Sequence, residues 1–100
     1  MVLVGHNDLP RVEAERLWAS QRGASTVACD TPSTAAAWKT IPSRYFVSTG
    51  DQIITAQSEL AMARRAHSHI TKSHGGSHLT LISRPNAVTA VIASAICSLH

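Results

Sequence analysis

Two short strand-like segments with a single helical stretch between them limit what this chain can become. Tyr45–Ser48 and Ser68–Ser73 read as strands. Between them, Ala56–Ala66 reads as a helix. Thr55 can cap its start, Glu59 lies in its first turn and Arg64–Arg65 in its last, so both signs match the helix dipole. A second helix follows from Ser83, a capping residue, with Pro85 in its first turn and Val88, Val91, Ile92 and Ala95 on the face expected to meet the core. Strand, helix, strand, helix in that order predicts an α/β fold built on a parallel layer.

Each strand end carries one residue with proton chemistry. Asp51 lies just past the first strand, in YFVSTGDQII (45–54). His78 lies past the second, in the Gly-rich loop of SHGGSHLTLISRP (73–85). An imidazole on such a loop can hang over a cleft, and it titrates near neutral pH, which suits proton transfer. An acid after one strand and a His after the next is the second half of a Ser…Asp…His order. The first half is missing, because no G-x-S-x-G occurs in these 100 residues. Taken singly, Asp51 is an ordinary turn residue and His78 an ordinary loop His. Their pairing and their flanking sequences favour the chemical reading.

Those flanking sequences resemble the α/β-hydrolase family, in particular its small esterase and hydroxynitrile-lyase-like branch. WKTIPSRYFVSTGDQII (38–54) resembles the strand that leads to the triad acid, and GGSHLTLISRPNAV (75–88) the His loop and last helix. DLPRVEAERLWASQR (8–22) resembles the end of the cap that precedes the acid strand. The resemblance covers most of the chain. It implies Asp51 as the orienting acid, His78 as the general base and a Ser nucleophile on an upstream elbow, which no residue here matches. It also implies a partial α/β-hydrolase fold, its C-terminal strand–helix–strand–helix unit preceded by the end of a helical cap. Residues 1–40 would be the cap end and linker, and residues 41–100 the α/β unit. The implied activity is hydrolysis of carboxylic esters. The substrate would be small, apolar and ester-like, with Trp18 and Leu17 able to line its pocket, and no cofactor is expected. Without the Ser, the chain is expected to be inactive alone. A noncatalytic ligand-binding or interaction module and a His-cluster metal-binding domain are the alternatives.

Two further motifs bear on that reading. VLVGHN (2–7) echoes a strand and elbow, and Val2–Val4 could be a short strand. But Asn7 stands at the nucleophile position, and Leu9 stands where the tight turn wants Gly. The cap-end reading fits the downstream residues better: Asp8 at an N-cap, Pro10 in the first turn, a helix over Arg11–Gln21 and a stop at Gly23. The segment 24–39 shows no sustained period and reads as loop with one short helical turn. His67, His69, His74 and His78 are close in sequence, yet no Cys or carboxylate lies among them, and a metal needs three or four converging ligands.

Composition supports an incomplete fold. A chain of 100 residues buries roughly 60–65% of its unfolded surface. Hydrophobic residues make up 44% and charged residues 15%, apolar for a small domain and suited to a piece that packs against neighbours. Tyr45, Phe46, Val47 and Ile70 are expected to remain poorly covered, and self-association through an open sheet edge is expected. The net charge of +3 is scattered, so no nucleic-acid role is expected. Cys29 and Cys97 lack framework spacing, which points to free thiols and a cytoplasmic location. The apolar window 87–99 is too short to span a bilayer.

Overall fold

The computed structural model describes residues 4–99. After a 3₁₀ turn at Val4–His6, the elements run α1 (Arg11–Ala19), α2 (Thr26–Asp30), a second 3₁₀ turn (Ala37–Lys39), β1 (Arg44–Ser48), α3 (Ala56–Arg65), β2 (His69–Ser73), α4 (Thr80–Ser83) and α5 (Pro85–Cys97). β1 and β2 form a parallel pair, in register from Arg44 opposite His69 to Ser48 opposite Ser73. The result is a partial α/β fold. Side chains alternate across the pair. Arg44, Phe46, His69 and Thr71 line an open space that α5 also borders, while Tyr45 lines another with Met62 and Ala66 at the end of α3.

The helix boundaries follow local chemistry. The Thr55 side chain accepts from the Ser58 N–H and starts α3 as its cap. α1 departs from expectation. Its N-cap is Pro10 with no side-chain bond, and it ends at Ala19, ahead of Gly23. Ser20 Oγ donates to the Leu17 carbonyl at 2.8 Å there. Asp8 is drawn away from the helix start by partners distant in sequence. Ser83 caps no helix either. It lies within α4, and Arg84 precedes Pro85 at the start of α5. Of the Val2–Val4 strand, residues 2 and 3 lie outside the described residues, and Val4 opens the first 3₁₀ turn.

The apolar core is small. Only Ala14, Val47 and Ala63 are buried hydrophobics among the described residues. Val47 is fully enclosed, contrary to the expectation that it would be left open, because α3 covers its face of the sheet. Tyr45, Phe46 and Ile70 are half-buried. α5 has no buried residue, and Ile92, expected on the core face, is 55% exposed. A two-stranded sheet offers too little surface to cover the apolar stripe of a 13-residue helix. Burial concentrates instead on polar residues at the C-terminal strand ends: Ser48, Asp51, Glu59, Ser73, Ser77 and Thr80.

Candidate active site

The register sets the site. Ser48 and Ser73 are partners at the last rung, so the two chains leave the sheet side by side. The loops then lace together: Thr49 N–H donates to the Ser73 carbonyl (3.0 Å) and Gly50 N–H to the Gly76 carbonyl (2.9 Å). Gly75 N–H donates to Thr49 Oγ1 at 2.7 Å. Gly50 is required by this approach, since a Cβ there would lie 2.8–2.9 Å from the backbone of Gly75 and Gly76. Gly75 itself adopts φ +71°, a conformation costly for other residues.

Asp51 and His78 meet at this edge. His78 Nδ1 lies 2.8 Å from Asp51 Oδ2. The Asp51 side chain is 1% exposed and that of His78 36%. The other carboxylate oxygen, Oδ1, accepts from the N–H groups of Ile53 (2.7 Å) and Ile54 (3.0 Å). Burial pushes the Asp51 carboxyl up, but the bonds from His78, Ile53 and Ile54 outweigh it and hold Asp51 below the ordinary carboxylate range. An ionised carboxylate only accepts, so Nδ1 carries a proton, and in the neutral ring Nε2 is then the acceptor. His78 also lines a cavity of about 460 Å³ whose wall includes His6, Trp18, Ile53 and Leu79. Leu17 is absent from that wall.

Two carboxylates join the site in ways that spacing does not show. Glu59 lies in the first turn of α3 as expected, and it is also buried and accepts the Ser48 N–H at 2.9 Å. Burial pushes its carboxyl up, and the nearby Asp51 charge adds to this against the pull of the Ser48 bond. Asp8, read as an N-cap, accepts from Ser77 N–H (3.1 Å) and Ser83 Oγ (2.7 Å). Burial raises Asp8, but its Ser77 and Ser83 contacts prevail and hold it low. Beside it, Asn7 Nδ2 donates to the Gly50 carbonyl at 3.2 Å. Spacing could not reveal either role, because each depends on partners far along the chain or on burial that only packing creates.

The remaining candidates separate. Ser77 is fully buried and Ser73 only 6% exposed, so neither hydroxyl is open to a substrate. His67 closes α3 with φ 53°, His69 opens β2 and His74 follows its end. Among the described residues, no three His, Cys, Asp or Glu side chains are grouped to hold a metal ion. Nor is any described helix long and apolar enough to cross a membrane.

A parallel α/β unit with an acid–imidazole pair beyond its C-terminal strand ends has the layout of open-sheet enzymes, whose sites gather at that edge. The family model described as the alpha/beta hydrolase family matches residues 3–91, and the chain belongs to that family. No curated protein and no solved structure matches it.

Proposed function

We propose that the chain is the acid-and-base portion of an α/β-hydrolase-like protein that hydrolyses carboxylic esters through a Ser-His-Asp relay. The observation that carries this reading is the 2.8 Å contact between buried Asp51 and half-open His78. His78 Nε2 takes the proton of an attacking hydroxyl and returns it to the leaving alkoxide, while Asp51 fixes the tautomer and stabilises the imidazolium. The attacking Ser comes from outside these residues, since the sequence has no G-x-S-x-G. Trp18, Ile53 and Leu79 give the cavity beside His78 apolar walls, which suit a small apolar ester. Exposed free Cys29 and Cys97 suit the reducing cytoplasm.

The test has two arms. Alone, the chain should turn over p-nitrophenyl esters no faster than a His-containing control. Turnover abolished by Ser77→Ala or Ser73→Ala would reveal a nucleophile within the chain. Fused behind the elbow-bearing part of an active α/β-hydrolase esterase, the chain should support turnover that falls by about 10⁶ on His78→Ala, as for loss of the base of a Ser-His-Asp triad. Restored turnover indifferent to His78→Ala would refute the assignment.

A further inference from the structure

Asp8 grips the loop that carries His78 on both sides of that residue. Its Oδ2 accepts the N–H of Ser77, immediately before His78, at 3.1 Å. The same oxygen accepts the hydroxyl of Ser83, beyond His78, at 2.7 Å. Arg84 Nε stands 3.6 Å away, and Arg84 also donates to Ser73 Oγ (3.2 Å) and the His74 carbonyl (2.6 Å). One carboxylate and one guanidinium thus brace the whole loop from Ser73 to Arg84. The loop needs bracing. Gly75 and Gly76 give it little stiffness of its own, and loop-borne groups reach productive geometry only when supporting bonds lock them. Asn7, next to Asp8, holds the Gly50 carbonyl at 3.2 Å. The same N-terminal segment therefore clasps the loops of both Asp51 and His78.

From these contacts we infer that Asp8 is a positioning residue for His78, fixing the loop so that the ring meets Asp51 at the cavity wall. Asp8 acts through Ser77 and Ser83 and touches neither the ring nor the reacting atoms. The inference rests on the proposal that His78 is the working base, and its test separates the two.

The readout is the His78 ring in ¹H–¹⁵N spectra of the full chain. The wild-type ring should be the Nδ1–H tautomer with a slowly exchanging Nδ1 proton. Asp8→Leu should lose that signal. Asp8→Asn should keep it, because an amide oxygen still accepts from Ser77 and Ser83. Ser83→Ala should speed Nδ1–H exchange at least tenfold. Val47→Ala, which weakens the core without touching the loop, should leave the signal in place, whereas a merely structural role for Asp8 predicts that it changes likewise. A folded Asp8→Leu chain with an unchanged signal overturns the inference. If Asp8→Leu fails to fold, an unchanged exchange rate in Ser83→Ala overturns it. A wild-type ring without the Nδ1 bond refutes the proposed base, and the positioning role falls with it.

Discussion

Asp51 and Glu59 are carboxylates of one small interior, and burial acts on them with opposite net results. Asp51 is compensated by three donors and lies below the ordinary range, whereas Glu59 has one backbone donor and is pushed up. The signs for stability follow from linkage. Asp51 contributes stability that is present above its unfolded value, ordinarily about 3.9, and lost as pH falls through its lower folded value. Glu59 binds its proton more tightly when folded. Stability is therefore lost as pH rises from its unfolded value, ordinarily about 4.3, through its folded one. Glu59→Gln keeps an acceptor for the Ser48 N–H and removes the buried charge. It should raise the melting temperature at pH 7 and give no gain near pH 4, as followed by thermal denaturation across that range. A lower melting temperature at pH 7 would mean that the ionised carboxylate stabilises the fold. At this scale the sequence was legible for Asp51 and His78 because each follows a recognisable strand. Asp8 and Glu59 were not, since Asp8 owes its role to bonds spanning 69 and 75 positions and Glu59 to packing against the end of β1.

The joint between the two strand-end loops is the element on which the site depends. Gly50→Ala would drive a methyl into the backbone of Gly75 and Gly76. Overpacking of this kind costs about 1–3 kcal/mol, and the loops must part to relieve it. Gly50→Ala should therefore lower stability and also abolish the slow Nδ1 proton of His78. Val47→Ala should cost about 2 kcal/mol in urea denaturation through lost burial and a small cavity, yet leave that proton intact. Similar loss of the ring signal in both variants would show that the site depends on global stability and not on the joint. Element order and parallel pairing were legible because two strand-like segments flank one well-capped helix. Helix ends were less so. Pro10 begins α1 without a side-chain cap, α2 forms in a stretch with no apolar period, and Ser83 bonds Asp8 in preference to capping α5.

At the scale of the whole molecule, the chain is more open than its length requires. Its radius of gyration is 15.2 Å, against about 13 Å for a compact domain of this length. Its accessible surface is 7449 Å², where a compact monomer of this mass exposes roughly 5,500 Å². Much of the excess is apolar: Ile41, Ile92, Ile96 and Leu99 line an open groove of about 460 Å³ beside α5. We expect the purified chain to bind hydrophobic dyes and to self-associate as its concentration rises, as judged by dye fluorescence and light scattering. A monodisperse monomer that binds no dye would identify a self-sufficient module. The sequence signalled this openness through its high apolar fraction and low charge. It did not show that the covered part of the interior would gather around the polar strand ends.

The central claim is that Asp51 and His78 act as one relay. It is tested most directly by a double-mutant cycle on ester turnover in the elbow-bearing fusion, with Asp51→Ala, His78→Ala and both together. Members of a relay are strongly non-additive. The double variant should therefore be about as slow as His78→Ala alone, with each single variant reducing kcat by at least a hundredfold. Single losses that simply multiply in the double variant, or an Asp51→Ala fusion as fast as the parent, would contradict it.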